Sequence, residues 1–521
     1  MCARRSSLLA LFWLGSVLAA CESSVTKETS PDGGGGAEQA DGGGGAAPAA
    51  PSITWAACAP DDAPGFECAD VPVPIDWGSL DGPEMTVRLR RKPAATDPPR
   101  GAAWMLEGGP GAPGAWMLTF AERTAAEHPD LDVMIVDHRG TGHSGELACA
   151  TATDPPTLDC LSSLEQTSGT SIAATSTSAS AQDVAALARW FGRGETQLLY
   201  GRSYGTYWAH RTVTLAPEGF DAVVLDSPCD AVEGCPSWRR DHDIDLVGRA
   251  FFALCDQDPA CAARLPGGAV SFVEATVASA DAGACAGAAA AGLTGVRLRL
   301  ALARLLGTSE GRALAPAIVF RYARCSAADE AALANAAAWL DTLEELFAAV
   351  PGLSLPTNYQ VMRTEFWGGS HSVAEAEAQL ASTIVASGAS VRWAKAFESW
   401  PWPVFHVDPA LHQWRLSDAP VLVLTGGLDT ATPPALLGAL PGALPPGSTL
   451  VEQSLAGHVA SAVDTPTGEC ARALIDSFLD DPSATLDLGC VAQADQAERS
   501  ALFQTDAETS MQWFGTPSAY D

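Results

Sequence analysis

Ser203 stands between two glycines in Gly201-Arg202-Ser203-Tyr204-Gly205. An apolar run, Thr196 to Tyr200, precedes this pentapeptide, and Thr206 to Thr214 follows it with a helical pattern. A serine at a sharp strand-to-helix turn needs small neighbours, and its hydroxyl is pushed into the open as a nucleophile. Such a serine needs a base, and the base needs a group to orient it. Asp429 lies in the glycine-rich turn Thr425-Gly426-Gly427-Leu428-Asp429, after the apolar run Val421 to Leu424. His458 follows Gly457, beyond a last strand expected over Thr449 to Gln453. The order serine, acid, histidine suits acyl transfer: Ser203 attacks a carbonyl, His458 moves the proton and Asp429 orients the imidazole. Asp226, at the end of the apolar run Ala222 to Leu225, is the alternative acid.

Charge that develops on the carbonyl oxygen also needs donors. The apolar run Ala102 to Leu106 ends in Glu107-Gly108-Gly109-Pro110-Gly111, where backbone can approach a ligand closely. The amide of Gly109, with Gly108 as the alternative, and the amide of Tyr204 are the expected oxyanion hole. A further cluster, Asp137-His138-Arg139-Gly140-Thr141-Gly142-His143-Ser144, follows the apolar run Val133 to Val136. Its charged residues beside a glycine turn suit holding loops together better than transferring protons.

These turns must be carried on a common scaffold. Buried strands alternate with helical periods such as Ser180 to Gly192, which implies right-handed crossovers and an α/β fold with a mainly parallel sheet and helices on both faces. From Ser227 to His412 the chain becomes Ala-rich and helical in period, so it reads as an inserted, mostly helical cap that excludes water and shapes a pocket. The expected organisation is a leader over 1–20, a flexible tether over 21–51, core over 52–226, cap over 227–412 and core again over 413–521.

The leader has Arg4 and Arg5 before an apolar stretch from Leu8 to Ala20, the layout of a secretory signal. It ends in Leu18-Ala19-Ala20-Cys21, which resembles the bacterial lipobox and makes Cys21 the expected site of lipidation. Glu22 to Pro51, with two Gly-Gly-Gly-Gly runs, then reads as a tether of about thirty residues reaching on the order of 30 Å. The expected location is therefore the cell envelope, with membrane attachment only through lipid, or secretion. With Cys2 in the leader and Cys21 acylated, twelve of the 14 cysteines remain. They fall as near neighbours, Cys58 with Cys68, Cys149 with Cys160, Cys229 with Cys235, Cys255 with Cys261 and Cys470 with Cys490, leaving Cys285 and Cys325 to each other. No paired C-x-x-C motifs or clustered histidines suggest zinc, so no metal or other cofactor is expected. The net charge of -32 argues against a nucleic-acid partner.

Taken together, Gly108-Gly109-Pro110-Gly111, Asp137 to Gly142 with Ser144, Gly201 to Gly205, Gly427-Leu428-Asp429 with Thr432-Pro433, and Gly457-His458 resemble the prolyl aminopeptidase and tripeptidyl aminopeptidase group of α/β-hydrolases, especially its secreted bacterial members. The resemblance spans roughly Trp55 to Cys490. It implies the α/β-hydrolase fold, a Ser203-His458-Asp429 triad and release of short N-terminal units from peptides. Glu107 stands where strict proline aminopeptidases of the group usually have histidine, which favours the tripeptidyl-like branch or an esterase derived from it. The group also tends to hold the substrate amine with cap carboxylates, and Glu344, Glu345 and Glu365 are candidates among which the sequence does not choose; the substrate-binding residues stay unassigned. The expected substrate is a peptide or small acyl compound. A carboxylesterase on the same triad and an inactive, surface-anchored binding protein are the alternatives.

Overall fold

The structure, a computed structural model, describes residues 49–521 except 152, 168–171, 233, 236–237, 349, 402–403 and 406. The leader over 1–20, Cys21 and all but the last residues of the tether lie outside the described residues.

Nine strands form one sheet: β1 (Ala56–Ala57), β2 (Glu67–Pro74), β3 (Glu84–Lys92), β4 (Gly101–Leu106), β5 (Leu131–Val136), β6 (Thr196–Arg202), β7 (Ala222–Asp226), β8 (Val421–Gly426) and β9 (Thr449–Gln453). Their order across the sheet is β1-β2-β3-β5-β4-β6-β7-β8-β9. β1, β2 and β3 pair antiparallel, β3 is antiparallel to β5, and every pair from β5 to β9 is parallel. β4, β5, β7 and β8 are buried along their whole length, as continuous apolar strands of a parallel sheet covered on both faces must be. Alternation then divides the core. Trp104, Leu199, Val223 and Val423 face one layer, and Met105, Leu198, Val224 and Leu422 face the other.

The strand over Glu67–Pro74 is not legible in the sequence. Pro72 and Pro74 hide it, because proline cannot donate to a ladder. β1 pairs only with Glu67 and Cys68, so the far edge of both prolines has no strand to lose.

Between β7 and β8 the described residues form helices, from Arg240–Cys255 to Ala389–Phe397, and an isolated bridge between Asp230 and Gly234. The first part builds its own core around Phe251, Leu302, Ile318 and Leu333. Its second part lays Tyr359, Phe366, Trp367 and Trp393 against Trp208 and one face of the sheet. Leu502, Trp513, Phe514 and Tyr520, placed with the core in the sequence reading, pack into the insertion's cluster instead. The reason is a clamp: Arg321 donates to the carbonyls of Ala519 (2.7 Å) and Ser518 (2.9 Å), and Arg324 to that of Tyr520 (2.8 Å).

Six disulfides join Cys58–Cys68, Cys149–Cys160, Cys229–Cys235, Cys255–Cys261, Cys285–Cys325 and Cys470–Cys490, the pairs expected from proximity along the chain. Such a set suits an oxidising, extracytoplasmic compartment. Among the described residues no helix is long and apolar enough to cross a membrane.

Candidate active site

The chain leaves β4 for β5 on one side and returns to β6 on the other, so a crevice opens outside the carboxyl ends of β4 and β6. Ser203 sits there, directly after β6 and before the helix Tyr204–Leu215. Its backbone is at φ 54° and ψ -129°, a left-handed conformation that costs a non-glycine residue about 1–3 kcal/mol. Neighbouring bonds hold it there. Ser203 N donates to the Asp226 carbonyl (2.9 Å), and the Ser203 carbonyl accepts from Thr206 N (2.9 Å) and Thr206 Oγ1 (2.6 Å).

Gly205 is demanded by the close approach of the first turn of the helix Tyr204–Leu215 to the end of β4. A Cβ there would lie 2.2 Å from the Leu106 carbonyl oxygen, which is backbone and cannot swing aside. Gly205→Ala should therefore lower stability by about 3 kcal/mol, read as a shift of the urea midpoint; an unchanged midpoint would contradict this packing.

Beyond β8, Asp429 is fully buried and its carboxylate is saturated. Oδ1 accepts from the amides of Ala431 and Thr432 (both 2.8 Å), and Oδ2 from Thr432 Oγ1 (2.9 Å). Oδ2 also lies 2.8 Å from His458 Nδ1. Burial opposes charge on Asp429, but His458 and the two amides outweigh it and hold the carboxyl below the ordinary aspartate value. The histidine loop is fixed by Val459 N donating to Ser227 Oγ (2.7 Å), and Thr432 Oγ1 lies 3.0 Å from the Ser227 carbonyl oxygen. The alternative acid, Asp226, is engaged elsewhere: Oδ2 accepts from Tyr200 Oη (3.0 Å) and Ser461 Oγ.

Glu107 was legible only as a departure from a pattern, and the structure gives it a job. Its side chain is buried and meets Arg202, the residue before Ser203, through Nε to Oε1 (3.0 Å) and Nη2 to Oε2. Burial opposes the Arg202 charge, and Glu107 overcomes it, raising the guanidinium above its ordinary value. Glu107 Oε1 also accepts from Gly108 N (2.6 Å), so of the two candidate amides in this loop Gly108 is taken. Gly109 is exposed. The loop lies against the serine, since a Cβ on Gly108 would come within 3.2 Å of Ser203 Oγ.

Tyr204 is pinned by its hydroxyl, 2.6 Å from Thr177 Oγ1 and 3.0 Å from His138 Nε2. His138 Nδ1 lies 2.8 Å from the Arg139 carbonyl, and burial pushes the imidazole down to about 4, so it is neutral at neutral pH. Arg139 binds Asp183 through both oxygens and the carbonyls of Pro74 and Ile75; Asp137 accepts from Arg90 and Gly114 N. The cluster after β5 thus ties loops together. His143 is half-exposed, 3.6 Å from Asp62. Of the cap acids, Glu365 is buried and gives Oε1 to Thr177 N (2.9 Å) and Oγ1 (2.8 Å), bracing Thr177 and through it Tyr204. The side chains of Glu344 and Glu345 lie outside the described part.

Comparison with known proteins adds a family. Residues 388–490 match the family described as TAP-like protein, a span that holds β8, Asp429, β9, His458 and the Cys470–Cys490 disulfide. No curated protein matches the chain. Solved structures that resemble it at low identity include a thermophilic esterase from Thermogutta terrifontis (14% identity, 80% of this chain and 99% of that one, TM-score 0.32). Proline iminopeptidase from Mycobacterium smegmatis is similar at 15% identity over 82% of this chain and 99% of that one, with a TM-score of 0.31. A carboxyl esterase from Bacillus coagulans stands at 10% identity, 80% and 99% coverage and a TM-score of 0.35. By its strand order and the turns that the strands carry, the protein has the α/β-hydrolase fold, and its residues 388–490 match the TAP-like family.

Proposed function

We propose that the protein is an exported serine hydrolase that releases short N-terminal units from peptides, of tripeptidyl or prolyl type, through an acyl-enzyme on Ser203. The observation that carries this reading is the contact of a buried, charged Asp429 with His458 at 2.8 Å, on loops beyond the carboxyl end of the sheet that presents Ser203. Ser203 Oγ attacks the carbonyl carbon while His458 accepts its proton. The oxyanion takes hydrogen bonds from the amides of Gly109 and Tyr204, each worth roughly 3–4 kcal/mol of transition-state stabilisation. Collapse breaks the bond to the leaving amine, which receives the proton from His458, and water activated by the same imidazole then hydrolyses the acyl-serine. Asp429 stays ionised throughout and orients the ring. The match of residues 388–490 to the TAP-like family supports the peptidase branch. The disulfides and the leader support export, with Cys21 as the proposed lipid anchor.

One observation favours esterase activity on the same residues. Glu365 is buried, with Oε1 on Thr177 and Oε2 4.0 Å from Arg211 Nη1, and presents no exposed carboxylate to a substrate amine. A fluorogenic panel separates the two readings: free-amine aminoacyl and tripeptidyl amides, their N-blocked counterparts, and short-chain esters, given to the protein from about residue 51. Cleavage of the free-amine amides that is lost on blocking is expected. Turnover of esters alone would replace the peptidase by an esterase.

A further inference from the structure

Arg312 ends the short helix Ser309–Arg312 in the insertion between β7 and β8, and only 2% of its surface is exposed. A buried cation ordinarily sits beside a carboxylate. Among the described residues Arg312 forms no ion pair; the charges of Glu498, Asp429 and Glu310 reach it only from farther off, and its fork is filled by carbonyls. Nε donates to Leu306 O (3.0 Å), Nη1 to Leu455 O (2.7 Å) and Nη2 to Leu428 O (3.3 Å). Leu428 is the residue before Asp429, and Leu455 opens the turn that ends in His458. The turn fits closely around the cation, since a Cβ on Gly457 would lie 2.6 Å from Arg312 Nη2. Burial pushes the guanidinium down to about 10, so it remains charged at neutral pH.

Backbone bonds from Gly427 N to Gln453 O (2.9 Å) and from Leu428 N to Ala456 O (3.0 Å) already tie the acid's turn to the end of β9 and to the base's turn, and Ser227 contacts both loops. None of these bonds comes from a helix of the insertion. The planar guanidinium of Arg312 adds that tie, because it takes a carbonyl from each turn at once and anchors both to Leu306 in the insertion. An apolar side chain of like size would fill the space and leave the carbonyls of Leu428 and Leu455 without that donor. Resting on the triad reading above, we infer that Arg312 is a positioning residue: from within the helical insertion it fastens the acid's turn to the base's turn and sets the Asp429–His458 geometry. The insertion then frames the catalytic groups as well as covering them.

The test reads the inactivation of the whole protein by a fluorophosphonate, separated into kinact and KI. In Arg312→Ala, kinact should fall about 100-fold, the cost of a displacement near 1 Å, with KI within about threefold. Guanidinium added at millimolar concentration should restore at least a tenth of the lost rate by refilling the site. Arg299→Met is the control, since Arg299 is another buried arginine of the insertion, bonded to Thr383 O (2.7 Å) and Asp281. It should keep kinact and show no response to guanidinium. A wild-type kinact in Arg312→Ala overturns the inference, as does an equal loss in Arg299→Met with no rescue in either. Should Arg312→Ala be recovered unfolded, Arg312→Lys is read instead: a kinact down tenfold or more at constant KI supports the inference, and wild-type kinact overturns it. Failure of the triad itself is distinguishable, because Ser203→Ala would then still be labelled.

Discussion

Ser203→Ala will fold with wild-type stability, take no fluorophosphonate and turn over the best substrate of the panel on the order of 10⁶-fold more slowly. Stability should hold because alanine keeps the strained φ of 54° and the backbone bonds to Asp226 and Thr206 are untouched. His458→Ala should lose about as much, and the double variant no more than either, since nucleophile and base act as one unit. Asp429→Asn should lose about 10⁴-fold, because an amide in place of the carboxylate favours the wrong imidazole tautomer. Rates measured for both single variants decide the matter. Wild-type labelling of the Ser203→Ala protein would remove Ser203 from the chemistry, and strictly additive losses would break the unit.

Arg202→Met should be the most destabilising exchange near the site. It leaves the Glu107 carboxylate buried without its cation, a loss of about 3–5 kcal/mol. The deficit should depend on pH in a definite direction. Burying a lone carboxylate penalises only its charged form, so the deficit shrinks where acid neutralises the group and grows as pH rises. Urea unfolding at about pH 5 and pH 8 should therefore show Arg202→Met closer to wild type at the lower pH. Glu107→Gln, which keeps an acceptor for Gly108 N and Arg202 Nε, should lose less at neutral pH than Glu107→Ala. An Arg202→Met deficit that is flat with pH would mean that Glu107 finds another cation or water.

What the sequence disclosed follows from how local each signal is. The elbow was legible because a buried strand, two glycines and a helix lie within twenty residues, each with its own composition. Asp429 and His458 were legible because each follows an apolar strand in a glycine turn. The sheet edge was not, since Pro72 and Pro74 argue against a strand until β1 is known to be only two residues long. Glu107 and Arg202 are 95 positions apart and meet only because β4 and β6 are neighbours. Arg312 carries no sequence signal at all: an arginine in an Ala-rich helical stretch looks like a solvated face until its carbonyl partners are seen. Glu365 drew attention as one of three cap carboxylates that could hold a substrate amine, and its burial against Thr177 gives it a supporting role.

Arg321 and Arg324 must wait for their partners. The carbonyls they hold belong to Ser518, Ala519 and Tyr520, synthesised 196 to 198 positions later. At about 5–20 residues per second, that is a delay of roughly 10 to 40 seconds on the ribosome. Throughout it the surfaces meant for Trp513 and Phe514 stand open on the insertion. A nascent chain in that condition exposes apolar surface that invites aggregation until residues 513–521 are made. The nucleophile is made early, but the molecule closes around it only when residues 513–521 arrive.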